Sequence, residues 1–114
     1  MSGKYLVMVG SATHMPLIRV YYLDRSKKFV CASTKVENPF RRERYVEEFK
    51  RFGKGEIGMI QEMLHIKGIA AVSIETNKLI VHRDPWCTWE DIEEKIKTLM
   101  EGVLGENGDF LPMT

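Results

Sequence analysis

At 114 residues, with 44% hydrophobic and 29% charged side chains, the chain has the composition of one folded domain that buries its own core. A formal charge of +1 argues against a polyanion as the main partner. No apolar run approaches the roughly 18 residues of a membrane span. The two cysteines, Cys31 and Cys87, form no CxxC pair, and with seven methionines and no signal peptide they imply a reduced, cytoplasmic setting.

In chain order, Tyr5–Val9 is β-prone and stops at Gly10-Ser11, which gives an optional first strand. Ser11–Pro16 reads as loop. Leu17–Leu23 is rich in Val, Ile and Tyr and reads as a strand, with Phe29–Thr34 as a second. A turn over Asp24–Lys27 would pair them, placing Tyr22 opposite Phe29, Val20 opposite Cys31 and Ile18 opposite Ser33. Asn38-Pro39 breaks the chain, and Arg41–Phe52 is expected to be helical, with Tyr45, Phe49 and Phe52 on one stripe. After Gly53-Lys54-Gly55 the spacing predicts a helix over Glu56–Lys67 that buries Ile60, Met63 and Leu64. Gly68 stands where a helix end calls for positive φ.

The second hairpin is the most explicit local pattern. With Thr76-Asn77 at its tip, Glu75 meets Lys78, Ile74 meets Leu79 and Val72 meets Val81, so these four apolar residues face the core. Ala71, Ser73, Ile80 and His82 then alternate to the outer face. Thr88 is expected to cap the last helix in a capping box with Asp91. That helix runs over Thr88–Val103 and buries Ile92, Ile96 and Leu99. Gly102, Gly105 and Gly108 should fray it. The expected architecture is a single α+β domain over 1–104, a β-β-α-β-β-α two-layer sandwich. Its sheet is mainly antiparallel with helices on one face, a possible extra N-terminal strand, and a flexible tail over 105–114.

No catalytic constellation is present: there is no nucleophile elbow, no phosphate loop and no carboxylate pair in an apolar setting. The soft metal ligands are His14, Cys31, His65, His82 and Cys87, and none shows close ligand spacing. Cys31 reads as a small apolar side chain on a strand. Cys87, just before a helix, is either a reactive thiol activated by the helix N-terminus or a packed residue beside Trp86. Arg41, Arg42 and Arg44 beside Phe40 and Tyr45 read either as a nucleic-acid patch or as a solvated face whose arginines pair with Glu43, Glu47 and Glu48. Trp86 is either an interface anchor or a staple onto the sheet, and Trp89 is expected to pack on the core.

Met63-Leu64-His65-Ile66-Lys67-Gly68-Ile69-Ala70-Ala71-Val72, then Leu79-Ile80-Val81 and Trp89-Glu90-Asp91-Ile92, resembles the N-terminal domain of Nfu-type iron–sulfur scaffold proteins. Ser26-Lys27-Lys28-Phe29-Val30 is similar to that family's Ser-Leu-Lys-Phe-Ile strand. The resemblance spans about Leu17 to Val103. It implies a non-enzymatic protein-interaction module accessory to iron–sulfur cluster biogenesis. The family's cluster-binding CxxC belongs to a separate domain, so no cofactor is expected on this one.

The expected partner is a protein or a second copy of the chain, not a membrane or a nucleic acid. Its contacts are expected at Ile80, His82 and Trp86. The alternatives are a metal or cluster carrier that uses Cys87 and His82, with Cys31 across a dimer, and a small nucleic-acid-binding domain that uses Arg41–Arg51.

Overall fold

The structure is a computed structural model that describes residues 5–11, 16–24, 27–31, 33–105 and 108–112. The elements are β1 (Tyr5–Ser11), β2 (Ile18–Leu23), β3 (Thr34–Glu37), a 3-10 turn (Arg42–Tyr45), α1 (Val46–Phe49), α2 (Lys54–His65), β4 (Ile69–Glu75), β5 (Lys78–Arg83), α3 (Trp89–Leu104) and β6 (Gly108–Pro112). They build an α+β sandwich, with one six-stranded sheet in the order β3-β4-β5-β2-β1-β6 and the helices on one face. Among the described strands, only β1 and β6 pair in parallel. No described helix is long and apolar enough to cross a membrane.

The β4–β5 hairpin holds the expected register: Val72 pairs with Val81, Ile74 with Leu79 and Glu75 with Lys78. Its four core-facing residues are fully buried. Alternation along a strand carries this pattern across the sheet. Val36, Val72 and Val81 share one row of the helix-covered face, and Ile74, Leu79 and Tyr21 share the next. From the helices, Met59, Ile60, Met63 and Leu64 of α2 and Ile92, Ile96, Met100 and Leu104 of α3 close the core. Leu99 sits at its rim, partly buried. Each full burial of such a side chain contributes about 1.5–3 kcal/mol, which is why two stripes suffice to fix both helices on the sheet.

Helix ends follow local chemistry. Thr88 and Asp91 form the reciprocal capping box, with the Thr88 N–H donating to Asp91 Oδ2 at 3.1 Å. The backbone and side-chain hydrogen bonds from Thr88 hold the Asp91 carboxyl below its usual range. Gly68 has φ of +107° and Gly105 +78°, so each supplies a left-handed turn that a side chain would resist. A Cβ on Gly68 would lie 2.5 Å from Cys87 Sγ. Asn38 Nδ2 donates to the carbonyls of Leu64 (2.9 Å) and Ile69 (2.7 Å), tying the end of α2 to the start of β4.

Three expectations are corrected. First, β2 does not form a hairpin with the segment after it. It lies between β5 and β1, so Ile18 pairs with His82, Val20 with Ile80 and Gly10, and Tyr22 with Lys78 and Met8. The chain crosses the tip of the β4–β5 hairpin instead, where Leu23 N–H donates to Asn77 O and Phe29 N–H to Thr76 O. The next strand starts only at Thr34, on the far side of β4. A β-rich run states which faces it offers, not which strand will pair with it; the proposed turn residues Arg25 and Ser26 lie outside the described residues. Buried Glu56 secures the crossing by accepting the Val30 N–H at 3.2 Å.

Second, Arg41–Phe52 is not one helix but a 3-10 turn followed by a single α-turn. Neither has a side-chain N-cap, and so short a helix is not self-sustaining. Aromatic packing shapes it instead: Tyr45 stacks on Phe49 at 5.9 Å and Phe49 meets Phe52 at 5.3 Å. Third, the stretch 105–114 read as a tail contains β6, which pairs from Tyr5↔Gly108 to Val9↔Pro112. Gly105 ends α3 cleanly, and the Gly108 N–H donates to Glu101 Oε2 at 3.0 Å. The possible first strand is present as expected: β1 is an interior strand, paired on both sides.

Candidate interaction face

The helices leave the other side of the sheet without a described layer. Its rows follow from the registers: Glu37, Ala71, His82 and Ile18; then Lys35, Ser73, Ile80, Val20 and Gly10; then Glu75, Lys78, Tyr22, Met8 and Leu111. Leu6 and Asp109 extend it toward the β6 edge. The middle of this face is aliphatic and aromatic, and its charges lie along the flanks. Leu6 and Leu111 are 42% and 44% exposed. The aromatic segment before α2 does not cover this face: Phe49 and Phe52 join the core, and Phe40 and Tyr45 pack against it.

His82 lies on this face beside Ala71 and Ile18, as the alternation predicts. Partial burial and the nearby Lys35 push its imidazole pKa down, while Glu37 opposes them weakly. Ile80, beside it, is half-buried by neighbouring strands rather than by a second layer. Trp86 stands in the turn that follows β5 and is 66% exposed, so it is not a staple onto the sheet.

The sulfur and imidazole groups do not converge. Cys87 is 2% exposed and belongs to the core cluster, with its thiol against Gly68 and donating to Thr88 O at 3.3 Å. Burial, aided by Asp91 and Asp84, pushes this thiol up against the opposing charges of Arg83 and Lys95. Desolvation thus overrides the activation expected from the helix. Cys31 lies not on a strand but in the crossing segment near Glu56 and Glu75, at the hairpin-tip end of β4. Burial and these carboxylates raise its thiol to about 11. Cys87 lies at the opposite end of β4, beside Gly68. His65 is exposed at the end of α2, and His14 lies outside the described residues. Among the described residues no group of three or more His, Cys, Asp or Glu side chains could hold a metal ion.

Sequence reasoning missed a polar network at the start of α3. Arg19 Nη1 and the Tyr21 hydroxyl both donate to Glu93 Oε1 at 3.0 Å. Burial and then the Glu93 charge raise the Tyr21 phenol well above its usual range. Arg19 and Arg83 lie 4.7 and 5.5 Å from the Trp89 ring, and Trp89 Nε1 donates to Pro16 O at 3.0 Å. Trp89 therefore packs partly on the core, as expected, and joins β2 to α3. An arginine in the middle of a β-rich run was the available signal, because Arg19 shares a face with Val81.

No protein-family profile matches the chain, and no curated protein matches it. Among solved structures, the crystal structure of protein SAV1430 from Staphylococcus aureus is similar, with a TM-score of 0.58 and 11% sequence identity. The match covers 87% of this chain and 100% of that one. At this identity the likeness is one of fold.

Proposed function

We propose that the chain is a non-catalytic protein-interaction module, similar to the Nfu N-terminal domain and accessory to iron–sulfur cluster biogenesis. The observation that carries the interaction reading is the outer sheet face, where Ile18, Val20, Tyr22, Ile80 and Met8 meet no described second layer. Apolar surface of that kind is stabilised by a partner. Exposed Trp86 at the end of β5 supplies an aromatic anchor, the residue type that dominates interface energetics. His82 adds a group whose charge responds to cover.

The pathway assignment rests on the sequence resemblance from Met63 to Ile92. Anaerobic purification of the tagged full chain, with mass spectrometry of what accompanies it, tests both parts. Cluster-assembly proteins should accompany the wild type and be lost from Trp86→Ala, with the unfolding midpoint unchanged. Associated proteins of unrelated chemistry would remove the pathway assignment. Retention of every partner by Trp86→Ala would remove the anchor.

A further inference from the structure

A concavity lies on the helical layer, away from the open sheet face. A cavity of about 200 Å³ opens between α1 and α2, lined by Arg42, Val46, Phe49, Lys50 and Ile57. Its apolar wall is Val46, Phe49 and Ile57, and two cations stand on its rim. Val46 is 49% exposed, an unusual position for a β-branched aliphatic residue on a charged segment. The wall is braced from behind, since Phe49 stacks between Tyr45 and Phe52 and belongs to the core.

Charge around the cavity is unbalanced. Between Arg41 and Lys54 the chain carries six cations and three carboxylates. Among the described residues the arginines of this segment form no ion pair with Glu43, Glu47 or Glu48. Among the described residues the segment's ion pair is Lys50 with Glu47, and both are strongly exposed. Arg41, Arg42, Arg44 and Arg51 thus keep their charge at the surface beside an apolar pocket.

We propose that this cavity docks an acidic peptide segment of a partner protein, inserting one large apolar side chain between flanking carboxylates. The cavity is below the about 300 Å³ at which drug-sized ligand sites begin, which favours a single side chain over a cofactor. Arg42 and Lys50 meet the carboxylates on either side of the inserted residue, and the remaining arginines extend the attraction along the peptide. Nucleic acid fits less well. Phe49, the aromatic residue of the wall, is 6% exposed and held against Tyr45 and Phe52, so no open ring face is left on which a base could stack. The site is separate from the outer sheet face, so its fate does not depend on the reading of that face.

The test uses the full chain and a peptide labelled at its N-terminus, fluorescein-Gly-Glu-Asp-Glu-Leu-Glu-Asp-Glu-amide, in anisotropy titrations. The same peptide with Ser for Leu and a single-stranded oligonucleotide of equal charge serve as comparisons. The Leu peptide should bind saturably, shift the amide resonances of residues 42–57, and bind about tenfold more tightly than the Ser peptide and the oligonucleotide. Arg42→Glu, Lys50→Glu and Val46→Asp should each weaken it by about tenfold at an unchanged circular dichroism spectrum. Equal binding of the Leu and Ser peptides would overturn the proposal. So would tighter binding of the oligonucleotide, shifts confined to the outer sheet strands, or variants that bind like the wild type.

Discussion

The two faces of the β4–β5 hairpin each carry a large aliphatic residue at the same level, and these meet different fates. On one, Val72, Ile74, Leu79 and Val81 disappear completely beneath α2 and α3. On the other, the small Ala71 is buried, but Ser73, Ile80 and His82 are only half-buried, with Val20 and Ile18 beside them. Composition does not distinguish Ile80 from Leu79; the presence of a layer does. An antiparallel sheet may leave one face to water, but it then normally carries polar residues there. The aliphatic stretch on the open face is therefore the feature that a purely structural account leaves without a use.

The sharpest contrast is a pair of truncations at adjacent positions. Leu79→Ala should lower the unfolding free energy by about 2–5 kcal/mol, because it leaves a cavity in a closed core. Ile80→Ala should cost about 1 kcal/mol or less, the range of strand preference on a half-open surface. Chemical denaturation of both variants measures this, and equal losses would mean that both faces are covered in the isolated chain. Gly68→Ala probes the closed side through its backbone. A non-glycine residue at φ of +107°, with Cys87 Sγ in its way, should cost about 1–3 kcal/mol in the same assay. Full stability of that variant would show that the turn relaxes easily.

Thiol labelling extends the comparison to kinetics. Cys31 should react slowly, with its thiol raised to about 11. Cys87, in the core, should react about tenfold or more slowly still until denaturant is added. Rapid native labelling of Cys87 would return attention to the carrier reading. The smallest effect belongs to His82. Its pKa is lowered in the folded chain, so the unfolded chain binds the proton more readily. Stability is then full above the ordinary value of 6.5 and falls as pH drops through it toward the lower folded value. His82→Gln should flatten that part of the stability profile, and an unchanged slope would assign it to other groups.

Legibility in the sequence followed the range of the interactions. The β4–β5 register, the Thr88–Asp91 box and the positive φ of Gly68 were all readable, because each is decided within a few residues. Both helix stripes were readable for the same reason. The neighbours of β2 were not: Leu17–Leu23 announces a strand, but its partners lie in β1 and in β5, about sixty residues downstream. The parallel pairing of β6 joins the two ends of the chain and has no local signature beyond Phe110 and Leu111. Of the candidate site, Ile80 and His82 followed from alternation, and Trp86 from a choice that the exposure decided. The cavity beside Val46 was hidden, because it needs Ile57 of α2 placed against the segment that carries Arg42, Val46, Phe49 and Lys50, a packing relation with no local signature.

The central claim is that the open sheet face, and not the helical surface of α3, is the one covered by a partner protein or second copy. Photo-crosslinking measures this most directly, with p-benzoylphenylalanine placed at Ile80 in one full-length variant and at the exposed Glu94 of α3 in another. Irradiation in cells should give a discrete higher-mass adduct from position 80 and none from position 94. Adducts of equal intensity at both positions, or none at position 80 in a folded variant, would contradict the account.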